Sequence, residues 1–543
     1  MTEPATIDIR RDRRGTIDPL IYGHFLESAF FGNIEGGVFD EGSPLSYDGP
    51  GARNGLRRDV AELCRQLGLP VVRWPGGNFT SAYHWEDGIG PRDERPRRLE
   101  LAWGEEESNR FGTDEFLAWC AEVGTEPYLA HSCRDVDEAV RWVEYTNYAG
   151  DTSYTRQRAA NGRPTPYGVK YWGLGNEVYG RWQMGHRTAT EYAAAAREHA
   201  QFMRAVDPSL QFIAVGLTDD RQGWTDEVLK TVGDRIDYLS FHLYGATTQL
   251  TDGADEYDAI VAQSLYFEQE IQNYSALVTE LAARHGLRQP LGLALDEWNI
   301  RHVEPSAWPA PQPSDDGGTA ERDLDGLPTA GPPHRVNRWS PRTLADALFY
   351  AGVFHALHRA SGLEVPVTMA NTVNLLNANG VVVARPGGAV RAATYHVWDL
   401  YQNHLGPVAL SADVRSPGRL ASVRQGDERD HNGQFQGRTA TVADLDVSAT
   451  ETADGGSLRL AVINRHRTVA VRATLTLDGR VDALPPLATV KDLGADVDDV
   501  LASNSLSSPD QVALRDRGEQ KLPDGTYDFP PHSVTLLSFA LKR

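Results

Sequence analysis

Eight short apolar runs, each ending in polar or aromatic residues, constrain this chain more than any other feature. They cover residues 20–27, 70–78, 126–133, 169–177, 211–216, 236–244, 291–299 and 365–374. Helix-like segments lie among them at 57–67, 113–122, 135–148, 190–206, 257–285 and 341–360. Several carry start signals, among them the acidic opening from Asp135 to Glu138, and Ser340-Pro341 as a cap with a first-turn proline. Strands that are apolar almost throughout are covered on both faces. Eight such strand and helix repeats predict an α/β fold, a closed parallel (β/α)8 TIM barrel rather than an open sheet.

Past about Tyr401 the texture changes. Segments 457–465, 469–477 and 533–541 alternate apolar and polar residues between Asp-Gly, Asn-Gly and Gly-Gly turns, the pattern of an antiparallel sandwich. The expected division is a barrel over residues 18–400 and an all-β domain over 401–543, to which residues 1–17, with their own short strand, can be added. Residues 305–336 are rich in Pro, Gly and Asp without periodicity. They read as a long loop after the seventh strand, either a surface insertion or a lid over the cleft.

The net charge of -22 repels phosphate backbones and anionic lipid surfaces, so neither nucleic acid nor a membrane is an expected partner and a neutral substrate fits best. Residues 1–19 place charges where a signal peptide needs an apolar core, and the three cysteines, Cys64, Cys120 and Cys133, lack CxxC spacing. A cytoplasmic location follows as the expectation, with neither a disulfide framework nor a structural zinc site.

In a barrel of this kind the loops after the strands build the active face. Glu27, Asn78, His131, Asn176 with Glu177, His242 with Tyr244, Glu297 and Asn371 all fall there. Two strand ends match: VKYWGLGNEV delivers Glu177 and LGLALDEWNI delivers Glu297, on the strands counted fourth and seventh. Strands so placed face each other across the barrel mouth. Opposed carboxyls are what glycosidic cleavage needs, one to protonate the leaving oxygen and one to attack the anomeric carbon or activate water. For either Glu alone, a helix cap or a buried ion pair would suffice; the matched pair is what favours catalysis. Trp85, Trp103, Trp182 and Trp298 can stack on sugar faces; Trp103 and Trp298 are the two retained as candidates. The Gly76-Gly77 pair is read as a backbone reversal and not as a phosphate cradle, since no GK[ST] follows.

The stretches VVRWPGGNFTSAYHWEDGIGP, YWGLGNEVYGRWQMGH, SFHLY and LDEWN resemble the α-L-arabinofuranosidases of glycoside hydrolase family 51, over a span from about Tyr22 to the end of the barrel. The resemblance implies Glu177 as general acid/base, Glu297 as nucleophile, and Glu27, Asn78, Trp103, Asn176 and Tyr244 around the furanose. It further implies release of terminal non-reducing arabinofuranosyl residues with retention, a C-terminal jelly roll joined by the N-terminal strand, a homohexamer, an intracellular location and no metal or other cofactor. Those roles suit the side chains. Asn176 can donate to the sugar 2-hydroxyl, Tyr244 can hydrogen-bond the nucleophile, and Glu177, which must start protonated, is expected to have a raised pKa.

Two departures from the family pattern concern the sugar. His131-Ser132-Cys133-Arg134 replaces the usual turn after strand three, bringing an imidazole, a thiol and a guanidinium toward the cleft. Asn371 stands where Gln is usual, retracting an amide by roughly 1.5 Å. The alternatives are a retaining glycosidase of another furanoside or pentoside, such as a β-D-galactofuranoside; a metal-dependent barrel hydrolase using His131, His242, Asp296 and a Glu; and a non-catalytic sugar-binding protein.

Overall fold

The computed structural model describes residues 5–218, 223–246, 256–287, 290–301, 341–424, 437–495 and 498–541. All eight expected runs are strands of one closed parallel barrel: β1 (Gly23–Phe25), β2 (Val71–Trp74), β3 (Glu126–His131), β4 (Tyr171–Leu174), β5 (Gln211–Val215), β6 (Tyr238–Ala246), β7 (Gly292–Arg301) and β8 (Val367–Thr372). Closure is made where Asn371 of β8 pairs with Gly23 of β1. The strand faces divide as the pleat requires. Val71, Tyr128, Ala130, Tyr171, Ile213, Ala294 and Met369 fill the lumen, while Val72, Leu129, Trp172 and Leu295 pack outward on the helices.

The helices begin and end on local signals. Asp135 caps Val136–Asn147 by accepting from the backbone N–H groups of Asp137 and Glu138. Arg58–Leu67 ends on Gly68, whose φ of 78° suits a residue without Cβ. The start expected at Ser340-Pro341 is corrected: Leu344–Ala360 is capped by Thr343 in a reciprocal box with Asp346, and Ser340 lies outside the described residues. The box wins because it satisfies donors from both partners. This helix is apolar nearly all round, being wedged between the barrel and the sheet domain. One core runs from β8 through Phe354 into Ala461, Ile463, Val534 and Leu536.

The C-terminal part is mostly sheet. Nine strands form one hydrogen-bonded sheet, in which Ala5–Thr16 lies between Val408–Arg415, antiparallel, and Val471–Leu477, parallel. Ile7, Val447, Leu460, Leu475, Val490 and Phe539, drawn from strands along the whole sheet, meet in a single core. The sheet is therefore folded over on itself, and the N-terminal strand is built into it. The proline-rich loop expected at 305–336 lies outside the described residues. No helix among the described residues is long and apolar enough to cross a membrane.

Candidate active site

A β-bulge in β7 organises the barrel mouth. Ala294 pairs with Ser240 and Glu297 pairs with His242, so two residues of β7 stand against one of β6 between those pairs. The extra residue shifts the alternation, and Asp296 and Glu297 both turn toward the lumen. Opposite them, Gly175 and then Glu177 adopt left-handed φ values of 96° and 44° after β4. For Glu177 this is mild strain of about 1–2 kcal/mol, the kind held in place around functional sites.

Arg73, from β2, ties the two halves together. Its Nη1 donates to Glu297 Oε1 and to the Asp296 carbonyl, both at 3.0 Å, and its Nη2 donates to Asn176 Oδ1. Tyr244 Oη donates to Glu297 Oε2 at 2.7 Å, and Tyr128 Oη donates to Asp296 Oδ2 at 2.9 Å. His242 stands among three carboxylates. Its Nδ1 lies 2.8 Å from Glu177 Oε1 and 3.5 Å from Glu297 Oε2, and its Nε2 lies 3.2 Å from Asp296 Oδ1. One ligand atom each from Glu177, His242 and Glu297 falls within 4.8 Å of the others.

These neighbours set the protonation states. Burial alone would push the His242 imidazolium down, but Glu297, Asp296 and Glu177 outweigh it and raise the group to about 10. Burial would push the Glu177 carboxyl up; the hydrogen bond and charge of His242, with the indole of Trp182, carry it below its ordinary value. The raised Glu177 expected from sequence is thus corrected: the proton sits on His242. Asp296 is also lowered, Arg73, His242 and Tyr128 overcoming its burial. Glu27 goes the other way. Burial raises it to about 8, with Glu297's charge adding and the Phe79 N–H opposing.

Glu27 Oε1 accepts from the N–H groups of Gly77, at 3.1 Å, and Phe79, at 3.0 Å. The two glycines of PGGN have their reason here: a Cβ at Gly76 would lie 2.5 Å from Glu27 Cγ, and one at Gly77 would lie 2.8 Å from Glu297 Oε1. Two carboxylates stand against bare backbone. Asn176 is buried, and its Nδ2 has no hydrogen-bond partner among the described residues. Asn78 accepts from Gln183, whose Nε2 also reaches Glu177. Trp103 is half-buried, close enough to the Glu27 carboxyl to favour its ionised form, and edge-on to Phe30 at 4.6 Å.

Three expectations are corrected. Trp298 follows Glu297 on a strand, so it points to the opposite face; it is fully buried and stacked at 5.9 Å on Trp398. Trp182, not among the candidates retained from the sequence, is a second indole at the site, 45% exposed and donating to Glu177 Oε2 at 3.1 Å. Asn371 is fully buried, its Nδ2 donating to the His24 carbonyl at 3.0 Å, so its short amide is held in the barrel wall and not at the cleft. The turn after β3 also divides. His131 accepts from the Cys133 N–H and faces Trp142 and His199 behind the barrel, while Arg134 donates to the Ser81 carbonyl at the rim. The ligand set of His131, His242, Asp296 and a Glu is not assembled.

Residues 63–261 match the α-L-arabinofuranosidase 1 domain, and residues 296–533 match the α-L-arabinofuranosidase C-terminal domain. Alpha-L-arabinofuranosidase C of Emericella nidulans is 33% identical over 98% of this chain and 97% of its own. The chain belongs to the α-L-arabinofuranosidase family. An intracellular exo-α-(1→5)-L-arabinofuranosidase of Streptomyces lividans is 32% identical over 94% of this chain and 71% of its own. Among solved structures, the arabinose complex of the Thermotoga maritima α-L-arabinofuranosidase has a TM-score of 0.81 at 34% identity, covering 99% of this chain and 100% of that one. The thermostable glycoside hydrolase family 51 α-L-arabinofuranosidase of Thermotoga petrophila also has a TM-score of 0.81, at 33% identity over 98% of this chain and 99% of that one. Within this family frame, Arg73, Asp296 and Gln183 are site residues that sequence reasoning did not assign to sugar chemistry. For Arg73 a signal existed: a lone guanidinium inside the apolar run VVRW must find buried carboxylates.

Proposed function

We propose that this chain is a retaining glycoside hydrolase that releases terminal non-reducing α-L-arabinofuranosyl residues by double displacement. The observation that carries the reading is the convergence of Glu177 and Glu297 on His242, with carboxylate oxygens within 4.8 Å. Retaining enzymes hold their carboxyls about 5–5.5 Å apart, whereas inverting enzymes leave about 6.5–9.5 Å for a water. In this reading Glu297, oriented by Arg73 and Tyr244, attacks the anomeric carbon as the C–O bond to the aglycone breaks. The leaving oxygen takes its proton through Glu177, which draws it from His242 Nδ1–H along the 2.8 Å bond between them and is left ionised. Water then attacks the glycosyl ester, giving its proton to Glu177 and freeing Glu297. The free Nδ2 of Asn176 serves the sugar 2-hydroxyl, and Glu27, protonated near neutral pH, is positioned to donate as well as accept.

The remaining expectations belong to the same proposal: residues 18–400 as the catalytic unit, residues 1–17 with 401–543 as the sheet domain, exo action, a cytoplasmic homohexamer and no metal cofactor. Sheet pairing of Ala5–Thr16 supports the division. The test is proton NMR of nitrophenyl α-L-arabinofuranoside hydrolysis. The first-formed arabinose should keep the substrate's anomeric configuration, and Glu177→Ala with azide should give a glycosyl azide of that same configuration. An inverted product refutes the mechanism, and negligible turnover beside strong turnover of a β-D-galactofuranoside refutes the sugar.

A further inference from the structure

We propose that Glu177, His242 and Glu297 also form a binding site for a borderline divalent cation of the zinc type, which occupies the cleft in place of the substrate. The donors are one imidazole nitrogen and two carboxylate oxygens, on β6, at the end of β4 and on β7. A zinc ion held at about 2.0–2.2 Å by tetrahedrally disposed ligands has those ligands roughly 3.4 Å apart. Here Nδ1 of His242 is 2.8 Å from Glu177 Oε1 and 3.5 Å from Glu297 Oε2. The two glutamate oxygens lie within 4.8 Å of each other, so the carboxylates enclose such an ion by rotating toward it.

A second, independent feature is the support behind the ring. His242 Nε2 faces Asp296 Oδ1 at 3.2 Å, and Asp296 is buried and held by Tyr128. A carboxylate on the far nitrogen is how metal-binding imidazoles are usually fixed in tautomer and orientation. With Nε2 facing Asp296 Oδ1 at 3.2 Å, Nδ1 is the nitrogen turned toward both glutamates. The hydrogen on Nδ1 makes the contact to Glu177; the cation takes its place, and the proton leaves to solvent. Tyr244 Oη, donating to Glu297 Oε2 at 2.7 Å, supports a second ligand in the same way.

Charge and donor type select the ion. The carboxylates of Glu177, Asp296 and Glu297 are balanced by Arg73 and a dication together with a neutral imidazole. Calcium and magnesium want oxygen donors and more of them, whereas an imidazole with two carboxylates suits zinc, copper or nickel. The three ligand atoms leave a fourth position open to the cleft. Because Glu177 and Glu297 are the reacting groups of the proposed hydrolysis, the bound ion acts as a competitive inhibitor and not as a cofactor. The inhibitory part rests on that reading; the binding part does not.

The test is calorimetric titration of the full chain with zinc chloride in a non-chelating buffer, alongside arabinofuranosidase rates. One site per chain is expected, weakened by saturating L-arabinose. His242→Asn should lower zinc affinity at least about 100-fold, and Asp296→Asn should lower it about 10–100-fold. Inhibition should be competitive and reversed by chelator, with magnesium without effect. Zinc binding unchanged in His242→Asn, or indifferent to arabinose, overturns the site. If the variants fail to fold, wild-type crystals soaked in zinc decide: anomalous density between the three named atoms supports the site, and density only elsewhere refutes it. A protein that binds zinc here yet hydrolyses no arabinofuranoside keeps the site and loses the proposed reaction, and the converse outcome is equally distinct.

Discussion

Replacing Glu27 by Gln should stabilise this protein in alkaline solution and leave it unchanged in acid. The carboxyl ionises near its ordinary 4.5 in the unfolded chain and at about 8 in the folded one. Each pH unit between those values costs the native state about 1.4 kcal/mol, because the unfolded chain gives up the proton first. The penalty is absent below pH 4.5, grows through the interval, and reaches about 5 kcal/mol above pH 8. Gln is isosteric and uncharged, and its Oε1 can still accept from the N–H groups of Gly77 and Phe79. Thermal unfolding of wild type and Glu27→Gln should therefore agree at pH 4 and diverge by several degrees at pH 9, the variant being the more stable. Activity should move oppositely. If Glu27 contacts the furanose, exchanging its hydroxyl donor for an amide should lower kcat/KM by about tenfold or more, the usual exchange of stability for function. A Tm difference that does not change with pH would show that no burial penalty rests on Glu27.

His242→Asn should move the alkaline limb of the kcat/KM profile to lower pH, because the group that holds the site's proton up to about 10 is gone and Glu177 must keep it alone; an unmoved limb refutes the shared proton. Trp298→Ala should destabilise the fold by about 3–5 kcal/mol, as large core deletions do, and Trp182→Ala, at an exposed indole, should leave Tm unchanged while slowing substrates with poor leaving groups. Tyr244→Phe should lower kcat by about 10–100-fold with a smaller change in KM, since its hydroxyl donates to the nucleophile Glu297.

The barrel was legible because a strand covered on both faces leaves an unbroken apolar run, and the paired strand ends were legible because two similar motifs each set a Glu beside an Asn or a Trp. What stayed hidden depends on backbone detail or on contacts across strands. Strict alternation would place Asp296 and Glu297 on opposite faces. Only the bulge against β6 turns both inward and sends Trp298 out, and nothing in LALDEWNI announces a bulge. Attention to the pleat would still have separated Trp298 from its neighbour. The state of Glu177 departs from the sequence expectation for a related reason. Its setting is rich in carboxylates, but the same carboxylates recruit a proton onto His242, and that imidazolium is closer to Glu177 than Glu297 is to His242. Burial and like charge raise a carboxyl only until a basic group stands among them. Glu27 shows the limit from the other side: it is buried beside Glu297 with backbone N–H groups but, among the described residues, no cation paired to it, and its carboxyl rises. Which carboxyl keeps a proton is thus decided by where Arg73 and His242 reach, a property of the closed barrel and not of any one strand.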